Sequence, residues 1–181
     1  MGTVLCLGNS VPWPKRIGFD DVRDMAFSEY AACSVNGKGQ VSCLGYNING
    51  DLGLGLQHEN YYYYPRRYVK LRNGLSAASV TANGQGFCVL YTNGMISCWG
   101  SPVAVGAGLG PRKVFGASEK TMGDNLPLVN LGQESGQTLT ATQLVSSVGT
   151  NCALLHTGQV KCWGQWCVFG SLVRRRLTLQ R

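Results

Sequence analysis

The sequence predicts an all-β chain assembled from a repeated hairpin. Three observations carry this. The stretch Cys33-Ser-Val-Asn-Gly-Lys-Gly-Gln-Val-Ser-Cys43-Leu44-Gly45 recurs, in the same spacing, as Cys88 to Gly100 and as Cys152 to Gly164. In every copy a glycine lies six residues after the first cysteine (Gly39, Gly94, Gly158), a β-branched residue follows two positions on (Val41, Ile96, Val160), and the second cysteine two after that. A repeat of this kind sets the architecture before any other feature does. Each copy is also two short apolar runs flanking a turn signal, which is the pattern of a β-hairpin. The composition agrees: 25 glycines in 181 residues, only 14% charged residues, and no long amphipathic helical period.

Residues 1–8 are expected to be the second half of an incomplete hairpin. Gly2-Thr3-Val4-Leu5-Cys6-Leu7-Gly8 aligns with Gly39 to Gly45, so the chain begins half-way through a repeat and reads as a fragment of a longer repeat protein. The first whole unit spans 9–55, with Pro14 opening it, a strand over Val22 to Phe27, and the cysteine hairpin closing it. It ends in the glycine-spaced loop Gly45 to Gly55, whose glycines suit positive φ or close backbone approach. That loop lacks the lysine of a phosphate loop, so a connector between repeats is the better reading. The second unit spans 56–110, and its Pro65 is matched to Pro14 as the start of an outer strand. The third spans 111–172, is lengthened by an insertion, and carries Pro127 as its matching proline. Residues 173–181 form a basic irregular tail, expected to lack a packed partner. Specificity would lie in the loops at 9–16, 56–66 and 101–125, where the repeats differ.

The motif set Pro…Val…Cys-x-Leu-x-x-x-Gly-x-Val-x-Cys-Trp-Gly…Leu-Gly-Leu-Gly resembles the regulator of chromosome condensation repeat, in its cysteine-bearing variant. The resemblance covers roughly residues 2–172. It implies a β-propeller of four-stranded blades, usually seven, of which this chain would hold about three plus part of a fourth, stacked as an open arc. The family's functions are diverse: nucleotide exchange on a small GTPase with chromatin binding, modules of ubiquitin ligases, a plant light receptor, a bacterial enzyme inhibitor. No exchange-factor residue of the family can be placed on this sequence, and a fold alone does not decide among such roles.

Chemistry-bearing residues are few. His58 and His156 fall in different parts of the repeat, and no nucleophile–base set or metal motif assembles around them. Neither covalent catalysis nor a cofactor is expected. Asp20, Asp21 and Asp24 read as a solvated acidic loop before a strand. Arg66, Arg67, Lys70 and Arg72 follow Tyr61 to Tyr64 and make a candidate basic contact patch for single-stranded nucleic acid, although the repeat already explains the segment as an outer strand. The formal charge is +7, but Arg174, Arg175, Arg176 and Arg181 supply four of those charges, so the body is only mildly basic. No apolar run reaches transmembrane length and no secretory signal is visible, so no membrane partner is expected. The functional expectation is a non-catalytic module that binds protein partners, with a small GTPase as the alternative partner in an exchange-factor role.

The cysteine pairs carry the sharpest geometric expectation. Cys33 and Cys43 are symmetric about Lys38, Cys88 and Cys98 about Asn93, Cys152 and Cys162 about Thr157. Residues equidistant from the turn of an antiparallel hairpin face each other. At a non-hydrogen-bonded rung the α-carbons lie about 4.5 Å apart, within reach of a disulfide. Buried free thiols are an equal alternative, because nothing in the sequence fixes an oxidising compartment. Zinc is disfavoured by the absence of Cys-x-x-Cys spacing. Cys6 and Cys167 have no partner inside a repeat.

Overall fold

The computed structural model describes residues 4–8, 11–17, 19, 21–56, 62–101 and 114–164. The tail 173–181, His58 and Cys167 lie outside these residues. Three antiparallel sheets follow one another along the chain. The first is four-stranded, β3 (Val22–Phe27), β4 (Ala31–Asn36), β5 (Val41–Tyr46) and β6 (Tyr62–Tyr68), hydrogen-bonded in that order. The second contains β7 (Ala77–Ala82), β8 (Gly86–Tyr91) and β9 (Ile96–Gly100). The third contains β12 (Ala141–Ser147), β13 (Thr150–Leu155) and β14 (Val160–Gly164). Before them lies a hairpin of β1 (Val4–Gly8) and β2 (Val11–Ile17). A two-residue ladder of β10 (Gln133–Glu134) and β11 (Gln137–Thr138) interrupts the connection into the third sheet.

The innermost strands β3, β7 and β12 lie side by side, which stacks the sheets as successive propeller blades. Each carries a register shift at its start, between Val22 and Asp24, Ala77 and Ser79, Ala141 and Gln143. A bulge at a fixed place bends each inner strand alike. The β1–β2 pair repeats the outer half of the first blade: Cys6 faces Lys15 as Cys43 faces Arg67, with a shift between Cys6 and Gly8 like that between Cys43 and Gly45. The fold is therefore a partial β-propeller.

The blades and the sequence units are out of phase by one strand. The sheet 22–68 takes its outer strand β6 from the segment 56–110, because the proline strand pairs backward onto the preceding cysteine hairpin. In the second blade the outer position is irregular. Among the described residues, bridges Ser97↔Leu128 and Gly100↔Phe115 continue the sheet, and two short 3-10 turns, Glu119–Thr121 and Gly123–Asn125, lie between them. Val129 N donates to Ile96 O at 2.8 Å just as Val69 N donates to Val41 O at 2.8 Å. Those bonds make Val129 the counterpart of Val69. Pro127 and Pro65 thus mark the same strand without sharing a rung.

One apolar core runs through the blades. It includes Val35, Val41, Leu52, Val80, Phe87, Val89, Ile96, Trp99, Leu126 and Leu155, all buried. A smaller cluster of Phe19, Ala32 and Leu44 covers the other face of the first sheet, with Val22 and Met25 packed on it.

Candidate interaction surface

The recurring residues account for the stacking of the blades. The hairpin registers place Cys33 opposite Cys43, Cys88 opposite Cys98 and Cys152 opposite Cys162. Their α-carbons are 4.1, 4.0 and 4.0 Å apart, with the sulfurs at bonding distance. Val35 faces Val41, Leu90 faces Ile96, and Leu154 faces Val160 on the next rung inward. The first two cysteine pairs are buried; Cys152 and Cys162 are half-buried.

The first two hairpin turns reach the next blade. Gly39 (φ 71°) accepts a hydrogen bond at its carbonyl from Ala77 N at 2.8 Å, and Gly94 (φ 80°) accepts one from Ala141 N at 2.8 Å. A β-carbon built on Gly39 would stand 2.7 Å from Ser76 Cβ, and one on Gly94 would stand 2.7 Å from Thr140 Cβ. The glycine after each second cysteine is equally forced. A β-carbon on Gly45, Gly100 or Gly164 would meet a carbonyl oxygen of the facing chain at 2.2 to 2.5 Å.

The connector 45–55 is a packing element. Trp99 Nε1 donates to Asp51 O at 3.0 Å, and the ring stacks on Phe87 with centroids 6.2 Å apart. The Asp51 side chain is buried with Oδ1 unbonded. Loss of solvent raises its carboxyl to about 6 against a backbone hydrogen bond from Asn49.

The structure gives two groups of sequence-selected residues partners within the chain. Asp24 is not a solvated loop residue; it lies in β3, and its Oδ2 accepts the Val80 N–H of the next blade at 2.8 Å. Asp21 Oδ2 accepts from Gly37 N at 3.0 Å. In the basic segment, Lys70 Nζ pairs with Glu119 at 2.5 Å, and that ammonium holds the Glu119 carboxyl below its ordinary range. Arg72 Nη1 donates to the carbonyls of Asp124 and Leu126 at 2.6 and 2.9 Å. Both cations thus clamp the 119–126 turns. Arg67 is exposed on the edge strand, and of Arg66 only the backbone in β6 is described. Part of the segments 9–16 and 56–66, expected as loops, is strand: 11–17 is β2 and 62–66 lies in β6. His156 Nδ1 accepts from Thr140 N at 3.2 Å, tying the turn to its own blade.

A further polar network joins the second and third blades. Asn83 Nδ2 and Ser146 Oγ both donate to Asn151 Oδ1, at 2.9 and 2.8 Å, and Thr81 Oγ1 lies 2.7 Å from Ser146 Oγ. Asn83 and Asn151 are fully buried.

At the same end of the inner strands the loops 27–30, 83–85 and 147–149 lie side by side. Glu29 N donates to Gly84 O at 3.3 Å, and Gly149 N donates to Asn83 O at 3.2 Å. A concavity of about 570 Å³ spans them, lined by Phe27, Glu29, Gly84, Gln85 and Val148 among others. Phe27 is 56% and Val148 72% exposed. Tyr30 is 48% exposed, stands edge-on to Tyr46 at 6.3 Å, and has its phenol raised by the hydrogen bond and charge of Glu29. Nothing in the sequence singled out these residues. The available signal was that Phe27, Tyr30 and Val148 have no counterpart at fixed spacing in the repeat.

No family model matches the chain, and no curated protein sequence matches it. Solved structures do. Human WBSCR16 superposes with TM-score 0.66 at 18% identity, covering 83% of this chain and 37% of that one. Yeast RCC1 (Prp20), solved bound to Kap60, gives TM-score 0.57 at 17% identity over 83% of this chain and 34% of that one. The fold is that of the RCC1-type propeller. Prp20p from Saccharomyces cerevisiae, in a structure described together with its binding to Gsp1p and histones, gives TM-score 0.54 at 19% identity over 85% of this chain and 34% of that one. The chain therefore spans about a third of the length of these RCC1-type structures.

Proposed function

We propose that this chain is a non-catalytic protein-interaction module built on RCC1-type blades, binding its partner through the loops that join the strands. One observation carries the reading. The recurring cysteines, turn glycines and Trp99 are consumed by pairing and blade stacking, whereas the exposed apolar residues Phe27, Tyr30 and Val148 sit at or just beyond the ends of the inner strands, at positions that differ from blade to blade. Among the described residues no group of three or more His, Cys, Asp or Glu side chains could hold a metal. A pull-down comparing the intact chain with versions whose 27–30, 83–85 and 147–149 loops are exchanged tests it. Capture indifferent to every exchange would count against the reading.

The likeness to yeast RCC1 (Prp20), whose binding to Gsp1p is named with its structure, supports a second reading as a nucleotide-exchange propeller. Release of labelled nucleotide from a panel of small GTPases decides it. The basic segment offers less to nucleic acid, since Lys70 and Arg72 already serve the 119–126 turns.

The three cross-strand cysteine pairs belong to the same proposal as disulfides that fix each hairpin for stacking. Each closes a short loop, so the entropic contribution is about 2–3 kcal/mol before strain. Mass spectrometry of unreduced, alkylated protein checks them; labelling of all six positions would reject them.

A further inference from the structure

We propose that the concavity between Phe27 and Val148 is a docking site for a short peptide segment of another protein that presents one bulky apolar side chain beside an arginine or lysine. The inference rests on the interaction-module reading and names its surface and partner chemistry. Three features argue for this occupant. The floor is pre-formed, because the hydrogen bonds from Glu29 N to Gly84 O and from Gly149 N to Asn83 O lace the loops of three blades together. The buried Asn83–Asn151–Ser146 network fixes the middle and third loops from below. A site that needs no ordering on binding loses less of its interaction energy to entropy.

The walls are apolar and out in solvent. Phe27 of the first blade and Val148 of the third line the hollow with Gly84 of the second, and a β-carbon on Gly84 would lie 3.6 Å from Val148 Cγ1. Exposed apolar side chains gathered around one hollow are the mark of a binding surface, whereas scattered ones are ordinary.

The charge selects the ligand. Among the described residues Glu29 is the one formally charged residue lining the hollow, in a chain whose formal net charge is +7. With no lysine or arginine among the described lining residues, phosphate-rich ligands find no counter-charge there. A cationic side chain next to the apolar anchor meets Glu29 at the rim. Such rim pairs tune selectivity and on-rate more than affinity.

The test uses the full chain and fluorescein-labelled octapeptides carrying one phenylalanine, tryptophan or leucine and one arginine at every relative spacing. A counter-set carries glutamate in place of arginine. The arginine set is expected to bind about tenfold more tightly than the counter-set. Phe27→Ser and Val148→Ser, both at exposed positions, are expected to lower that binding by about tenfold with unchanged thermal melts. Glu29→Gln should weaken arginine peptides severalfold and leave citrulline peptides unchanged. Equal binding of the two sets, binding insensitive to Phe27→Ser and Val148→Ser, or no peptide binding would overturn the proposal. So would capture of phosphatidylserine vesicles in preference to peptides. If peptides fail while loop exchange still abolishes partner capture, the interaction module stands and only this occupant falls.

Discussion

Glycine-to-alanine substitutions at the hairpin turns separate blade stacking from turn strain. Gly39, Gly94 and Gly158 occupy the same place in three hairpins, with φ of 71, 80 and 81°. An alanine at any of them incurs the left-handed penalty, about 1 kcal/mol. Their surroundings differ. At Gly94 the new methyl meets Thr140 Cβ at 2.7 Å and Ala141 O at 2.9 Å; at Gly39 it meets Ser76 Cβ at 2.7 Å and Ala77 O at 3.1 Å. At Gly158 nothing among the described residues lies within 4 Å. The contacted atoms include backbone of the next inner strand, so relief requires the blades to part. Overpacking of this kind costs about 1–3 kcal/mol, and weakening the bond from Ala141 N to Gly94 O adds about 1 kcal/mol. Gly94→Ala and Gly39→Ala should therefore each cost about 2–4 kcal/mol more than Gly158→Ala. Urea denaturation followed by far-ultraviolet circular dichroism measures the midpoints, with unchanged slopes confirming that only stability moved. Equal costs at all three turns would refute the stacking argument.

Three further outcomes follow from the geometry. Asp51→Asn should stabilise the chain at neutral pH. The folded carboxyl is raised to about 6 from 3.8, so its burial penalty is absent below pH 4, grows as pH rises, and is complete above pH 6, where it reaches about 1–3 kcal/mol; thermal melts between pH 4 and 8 show whether the gain appears only at the upper end. Asp24→Ala leaves the Val80 N–H of the next blade without its acceptor and should cost about 1–3 kcal/mol, read by the same denaturation. Under graded reductant the half-buried pair Cys152–Cys162 should open before the buried pairs Cys33–Cys43 and Cys88–Cys98, since exchange needs access to sulfur; timed alkylation and peptide mapping give the order.

Much of the fold was legible because hairpin symmetry is local. Equal spacing about Lys38, Asn93 and Thr157 is enough to set Cys33 opposite Cys43 and its counterparts. The repeat likewise announced that glycines at fixed places meet close backbone. Phase was less legible, since the proline strand pairs with the hairpin before it, and pairing direction leaves no mark on composition. The intrachain partners of the polar residues were illegible for a different reason. Asp24 sits among acidic neighbours and reads as solvated, yet its partner Val80 is 56 residues away. Lys70 and Arg72 look like a basic patch until the turns at 119–126 fold against them, across an insertion of irregular length. The candidate site was illegible for the opposite reason: Phe27 and Glu29 of the first blade meet Val148 of the third, and none of them repeats.

The molecule divides its labour between recurring residues that stack blades and non-recurring residues at the strand ends that bind. A substitution scan read out twice, once for folded abundance and once for binding of the selected arginine peptide normalised to abundance, tests it most directly. Abundance losses are expected at Cys33, Cys88, Gly94, Trp99 and Asp24, and normalised binding losses at Phe27, Glu29 and Val148. Normalised binding losses gathered instead at Arg67 and Lys70, with none around the Phe27–Val148 hollow, would contradict it.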